Sequence, residues 1–185
     1  MIWKRSTLMN SPPPCSTDSP PWRGNICSRK MNLLFAAVGK PRAPWARVAL
    51  EHYQRFLAKY ARCDWRWVRD APGSLNARDV RRIETDRILD AVADANGFKI
   101  LCDSGGQLLD TPAFASSLRQ GVEAHSNRAV IVIGGPWGLD ERARDWADFV
   151  WSLGPLTLPH ELALIVAAEQ MARALSILRG DAYHR

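Results

Sequence analysis

The chain has 185 residues, 46% of them hydrophobic and 24% charged, which is one ordinary domain's worth of chain with enough apolar material for a core. Two large domains and global disorder are both excluded. The formal charge of +6 looks like a nucleic-acid signature until it is divided along the chain. Lys4, Arg5, Arg23, Arg29 and Lys30 stand against Asp18 alone in the first thirty residues, so most of the excess sits there and the remainder is close to neutral. A basic RNA surface must therefore come from local placement.

Residues 1–30 include Pro12-Pro13-Pro14 and Pro20-Pro21 among scattered Ser and Thr, with no apolar period. Such a segment cannot recover its ordering entropy by burial and is expected to be a disordered extension. It lacks the apolar run of a secretory signal. Because Met31 opens a strand-like run directly, a natural start at Met31 is the simpler expectation, with residues 31–185 as the folded domain. Met31–Val38 is continuously apolar, as in a strand buried on both faces. Pro44–Tyr60 carries Val48, Leu50, Tyr53, Phe56 and Leu57 at helical spacing. In Arg62–Val68, Cys63, Trp65 and Trp67 alternate with polar neighbours, which predicts a strand with one wetter face.

Past the turn at Pro72-Gly73-Ser74, Asn76–Asn96 has helix periodicity with Asn76 as N-cap. Lys99–Cys102 reads as a short strand closed by Asp103-Ser104-Gly105-Gly106, and Asp110-Thr111-Pro112 starts a helix with proline near its first position. Ala129–Ile133 is a buried strand delivered into Gly134-Gly135-Pro136-Trp137-Gly138. A brief helix (Asp140–Ala147), a short strand (Phe149–Leu153), a loop (Gly154–Pro159) and a long helix (His160–Leu178) follow. Strand and helix alternate throughout, which predicts one α/β domain with a largely parallel sheet and helices on both faces.

In open parallel sheets ligands bind at the carboxyl ends of strands. Three strand ends carry unusual loops, Asp103–Gly106, Gly134–Gly138 and Gly154–Pro159, and these are the candidate site. Gly134 and Gly135 would let the backbone approach a ligand without Cβ obstruction; a plain turn is the alternative. Familiar fingerprints fail. The glycine loop does not fit G-x-G-x-x-G, Gly39-Lys40 lacks the upstream glycine of a P-loop, and Leu164 stands where a zincin helix begun by His160-Glu161 would need its second histidine. His52, His125, His160 and His184 are too dispersed for a metal set, and no metal is expected. Cys15, Cys27, Cys63 and Cys102 form no C-x-x-C pair, which fits a reduced, cytoplasmic chain. No apolar run approaches the roughly 20 residues that span a bilayer.

The last helix is apolar nearly all round, with Glu169 and Arg173 placed for an i, i+4 ion pair, so it needs cover on more than one side. It is either a core helix or a surface that meets a second subunit. Asp181-Ala182-Tyr183-His184-Arg185 puts an imidazole, a phenol and a guanidinium in consecutive positions, suited to stacking on a base and contacting phosphate.

Taken together, Ile133-Gly134-Gly135-Pro136-Trp137-Gly138-Leu139, Trp151-Ser152-Leu153-Gly154-Pro155-Leu156-Thr157-Leu158-Pro159-His160 and Ala182-Tyr183-His184-Arg185 resemble the RlmH family, with Ala36-Ala37-Val38-Gly39-Lys40 matching at the start. These are SPOUT-class methyltransferases that modify a pseudouridine of large-subunit (23S) rRNA. The resemblance implies an α/β-knot fold with a C-terminal trefoil knot, a homodimer, and S-adenosylmethionine as cofactor for methylation at the pseudouridine N3. It implies cofactor contacts at Cys102, Gly134, Gly135, Gly154, Pro155, Leu156, Thr157, Leu158 and Pro159. Tyr183, His184 and Arg185 match the family's C-terminal motif, a base-orienting and phosphate-contacting tail near the partner subunit's cofactor. His184 and solvent are both candidates to take the imide proton.

Three departures stand out. Ala71–Asn76 has no basic residue where many relatives have a Lys/Arg-rich loop, Gln107 replaces a common lysine, and Trp137 replaces a frequent acidic residue. RNA contacts would then come from Arg78, Arg81, Arg82 and Arg87 on the following helix, unless these form only a solvated charged face. Two rival readings are a catalytically silent knotted RNA-binding or ribosome-assembly protein, and methyl transfer to another RNA.

Overall fold

The structure is a computed structural model that describes residues 30–181; the proline-rich extension before Lys30 and the tail after Asp181 lie outside the described residues. Its ten elements are β1 (Met31–Val38), α1 (Pro44–Leu57), β2 (Ala61–Val68), α2 (Ala77–Ala91), β3 (Phe98–Leu108), α3 (Thr111–Ala124), β4 (Arg128–Ile133), α4 (Glu141–Trp146), β5 (Phe149–Ser152) and α5 (His160–Arg179). The five strands form one sheet in the order β2-β1-β4-β3-β5, and every pairing is parallel. The alternation read from the sequence is thus the observed architecture.

The apolar runs are continuous because the central strands are covered on both sides. Along β1, Leu33, Phe35 and Ala37 enter one core with side chains of α1, α3 and α5, while Leu34, Ala36 and Val38 enter a second with α2 and α4. β4 divides in the same way, with Ala129, Ile131 and Ile133 on one face and Val130 and Val132 on the other. A strand's two-residue period does this sorting. On edge strand β2, the Trp65 ring stacks on Phe35 at 4.2 Å between centroids, which uses the less polar of its two faces.

Capping chemistry sets the helix starts. Asn76 accepts from the Asp79 N–H at 3.0 Å, and Asp110 accepts from Ala113 at 2.8 Å, each satisfying an amide that has no intrahelical partner. α1 and α2 end earlier than their apolar spacing suggests. The Tyr60 N–H turns back to Leu57 at 2.9 Å and the Ala95 N–H to Val92 at 3.0 Å, so both helices tighten into single turns before the next strand. α5 packs against α1 and α3, with Leu164, Ala167, Ala168, Met171 and Leu175 buried. The Glu169–Arg173 pair forms at 2.6 Å. Gly180, at φ 74°, closes this helix in the left-handed conformation that glycine tolerates.

One expectation needs correction. β3 does not end at Cys102 but runs on to Leu108. Cys102 and Gln107 both register with Trp151 of β5, so residues 103–106 are looped out and the strand then rejoins the ladder. Gly105-Gly106 reads as a terminating turn, yet the neighbouring strand continues and captures the chain again.

Candidate functional site

β4, β3 and β5 are neighbours and parallel, so the loops at their carboxyl ends emerge side by side. That is the physical reason three segments far apart in sequence converge. Between them lies a cavity of about 340 Å³, within the usual range for a small-molecule site.

The first wall is the excursion in β3. Asp103 holds it by accepting from the Gly105 N–H at 2.8 Å and by pairing with the Arg144 guanidinium from α4. A Cβ on Gly106 would lie 2.7 Å from the Val150 carbonyl carbon and oxygen, so only glycine lets the loop pass this close to β5. Cys102 stands at the foot of the wall. Burial, with Asp103 adding to it, pushes its thiol up to about 12, so at neutral pH it is an uncharged surface rather than a nucleophile. Burial does the same to Cys63.

The second wall is the glycine loop. The Gly138 N–H donates to the Gly135 carbonyl at 3.0 Å, and Gly138 sits at φ +71°, which makes a tight turn with Pro136 and Trp137 at its tip. A Cβ on Gly135 would lie 2.5 Å from Glu84 Oε2. α2 braces this region with two buried polar side chains in sequence. Glu84 Oε1 accepts from the Ala71 N–H at 3.0 Å, and Thr85 Oγ1 accepts from the Asp140 N–H at 2.9 Å. Glu84 is 1% exposed, and its Oε2 has no hydrogen-bond partner among the described residues. Burial raises its pKa above the usual carboxylate range.

The third wall joins β5 to α5. Ser152 Oγ donates to the Gly154 carbonyl at 3.1 Å, and Gly154 adopts φ +143° with open space where a Cβ would stand. The Leu156, Thr157 and Leu158 amides donate to no described residue. They line the cavity with backbone polarity still to be matched.

Of the residues expected to hold a cofactor, Cys102, Gly134, Gly135, Gly154, Leu156, Thr157 and Leu158 line this cavity. Pro155 and Pro159 shape the third loop without lining it. Tyr183, His184 and Arg185 lie outside the described residues. The structure also separates the four arginines of α2. Arg81 reaches the cavity, and Arg87 donates to the Arg69 and Asp70 carbonyls at 2.9 Å each. Arg82 lies 4.0 Å from Asp79 and 3.8 Å from Asp86 in ion pairs. Arg78 is exposed.

Sequence reasoning missed Glu84, Arg144 and a second, larger cavity of about 620 Å³ at the carboxyl ends of β1 and β2. Arg42, Arg69, Arg87 and Glu84 line it, and it shares Pro136, Trp137 and His160 with the first. Glu84 had left a signal: it lies between Val80 and Ile88 on the buried stripe of α2, where an unneeded carboxylate would not be kept. Among the described residues, no three His, Cys, Asp or Glu side chains are placed to hold a metal ion, and no helix is long and apolar enough to cross a membrane.

Known proteins resemble this chain along most of its length. The family described as predicted SPOUT methyltransferase matches residues 31–184. The ribosomal RNA large subunit methyltransferase H of Desulfovibrio desulfuricans is 38% identical over 82% of this chain and 96% of its own length. Its counterpart from Gemmatimonas aurantiaca is 38% identical over 84% of this chain and its own entire length, and one from Thermus thermophilus is 35% identical over 84% and 99%. The crystal structure of a "probable methyltransferase" from Bordetella pertussis Tohama I is 14% identical, covers 77% of this chain and 93% of its own, and superposes with a TM-score of 0.50, a likeness of fold alone. The chain is a methyltransferase of the SPOUT class and belongs to the ribosomal RNA large subunit methyltransferase H family.

Proposed function

We propose that this protein is a cytoplasmic homodimer that transfers the methyl group of S-adenosylmethionine to N3 of a pseudouridine in the 23S rRNA of the large ribosomal subunit. The observation that carries the reading is the convergence of the three loops on one cavity. The C-terminal trefoil knot, and residues 31–185 as the methyltransferase domain, belong to the same reading and are supported by the family match from residue 31. Trp45 and Val48 on α1 are 53% and 68% exposed, apolar surface that a second copy would cover.

The cavity fits the cofactor in two respects. Gly135 presses its backbone against Glu84 with no space for a side chain, and Gly154, at φ +143° with open space beside it, takes a backbone conformation that residues with side chains rarely adopt. The amides of Leu156, Thr157 and Leu158, which donate to no described residue, suit a purine edge. These three residues and Gly134-Gly135 would hold the adenosine, with Cys102 as an uncharged wall. When bound, the cofactor supplies a methyl group on a positively charged sulfur, already activated for attack by a nitrogen nucleophile.

The protein's share of the work is then positional. The nucleophilic nitrogen must be held in line with the methyl carbon, and such positioning supplies a large part of an enzyme's rate. The imide must lose its N–H proton as attack proceeds, and nearby donors or cations stabilise the charge that develops. We assign that task to Tyr183, His184 and Arg185 of a second copy, with His184 or solvent taking the proton. Mass spectrometry of rRNA from a deletion strain tests the whole reading: the N3-methylpseudouridine signal should vanish, and an unchanged signal would overturn the assignment of substrate. Calorimetry with S-adenosylhomocysteine tests the cofactor separately, and no binding heat at any ratio would overturn it.

A further inference from the structure

The larger cavity is not needed to hold a methyl donor, yet it is joined to the smaller one by a common wall of Pro136, Trp137 and His160. Its charge is uneven. Asp70 is matched by an ion pair with Arg42, and Glu84 is enclosed at 1% exposure, so neither presents free negative charge at the mouth. Arg87 is held in place by the two carbonyls it serves, at 2.9 Å each. Arg69 is exposed and forms no ion pair with a described residue. The cavity is therefore positive on balance, and its cations sit beside the proposed reaction site rather than on a remote face.

Trp137 adds a second kind of recognition. It is 60% exposed, unusual for the largest apolar side chain, and it sits on a turn fixed by the bond from the Gly138 N–H to the Gly135 carbonyl at 3.0 Å. A rigidly based indole between an arginine-rimmed cavity and a glycine-walled one has the makings of a stacking platform, because every nucleobase offers a face to an aromatic ring whatever its sequence. Arginine in turn matches phosphate through paired donors.

We propose that the cavity at the ends of β1 and β2 is a second nucleotide subsite, which receives an RNA residue neighbouring the methylated one, with its phosphate on Arg69 and its base stacked on Trp137. The proposal rests on the reading that RNA is the methyl acceptor. It places this chain's RNA grip in the cavity's own arginines and an aromatic tip, where the loop at residues 71–76 offers no basic side chain.

The test uses the full chain, S-adenosylmethionine, large ribosomal subunits from a strain lacking the enzyme, and a single-stranded oligoribonucleotide spanning the target. Trp137→Ala should raise KM for the subunits by roughly 5- to 150-fold, the span expected for loss of one stacked base, a larger change than any fall in kcat at saturating subunits and cofactor. Trp137→Phe should recover most of the loss. Arg69→Ala should lower the slope of log affinity for the oligoribonucleotide against log salt by about 0.7, the value for one phosphate contact on a single strand, and leave S-adenosylhomocysteine affinity unchanged. Unaltered KM and salt slope would overturn the subsite. So would a Trp137→Ala enzyme whose loss lies in cofactor affinity alone, or an Arg69→Ala protein that sediments as a monomer while wild type is a dimer, since the cavity would then be an interface between copies. The salt slope needs no turnover: a wild type that methylates nothing would sink the acceptor reading, and the slope would still decide the subsite.

Discussion

β1 and β2 pair without a break from Met31 and Ala61 to Val38 and Val68, whereas β3 and β5 part after Cys102 and meet again only at Gln107. The cavities beside these two ladders differ in the same sense. Beyond the unbroken pair the wall takes its positive charge from the side chains of Arg42, Arg69 and Arg87; beyond the broken pair Gly134, Gly135, Gly138 and Gly154 open the wall to main chain. A continuous ladder satisfies its own backbone, so only side chains remain to meet a ligand. An interrupted ladder releases peptide groups, and glycine lets a ligand reach them.

Substitutions can break this contrast, beginning with the largest expected effect. Gly106→Val forces a side chain into the Val150 backbone, 2.7 Å from where its Cβ would stand. It should destabilise the fold by about 3 kcal/mol or more, read as a shift of the denaturant midpoint. Gly135→Ala should be milder for folding and severe for the site, since the new methyl meets Glu84 Oε2 at 2.5 Å. We expect at least a roughly tenfold loss of S-adenosylhomocysteine affinity by calorimetry, with non-additive behaviour in a double-mutant cycle with Glu84→Gln.

Glu84→Gln sharpens the comparison through pH. Burial raises the Glu84 pKa from its ordinary 4.5, so the folded state binds the proton more tightly than the unfolded chain. The stabilisation is complete below pH 4.5 and is lost as pH climbs through the folded value. Wild type should therefore lose stability relative to the Gln variant across that window in urea melts, and parallel curves would remove the buried charge from the account. Smallest of all, Arg66→Ala on edge strand β2 deletes a two-pronged pair with Asp94, at 2.5 and 3.2 Å, and a bond to the Ala91 carbonyl at 2.5 Å. It should lower stability slightly, read as a small shift of the unfolding midpoint, and leave cofactor affinity where it was, because the exposed pair is screened by solvent and only the bond to the helix end is shielded.

The central strands were legible because Met31–Val38 and Ala129–Ile133 are apolar at every buried position, and two-sided burial leaves no other pattern. The N-caps at Asn76 and Asp110 were equally plain. The end of β3 was not, because residues 103–106 carry every local mark of a turn and only the continuing backbone of β5 brings the chain back. The glycine loops could be identified as a site; that they touch follows from strand order, which composition and periodicity do not encode. The arginine cavity was invisible for a related reason. Arg42 follows β1, Arg69 follows β2 and Arg87 lies within α2, and no spacing links them until the three elements are packed together. Glu84 drew no notice in the sequence, because acids on a charged helix usually face solvent; its burial with Val80 and Ile88 shows that it faces inward.

The strand order has a consequence for biosynthesis. β3 is made well before β5, but the sheet seats β5 outside β3, and the Gly154–Leu158 wall arrives later still. As the polypeptide emerges, the edge at Ile100 and Leu101 stays bare until Phe149 and Val150 have been translated to cover it. Such an uncovered edge invites pairing with other nascent chains. The pocket thus comes into being only after β5 and the loop beyond it have been made, and a stall before β5 would release a chain that lacks the α5 side of its core and has no capacity to bind its methyl donor.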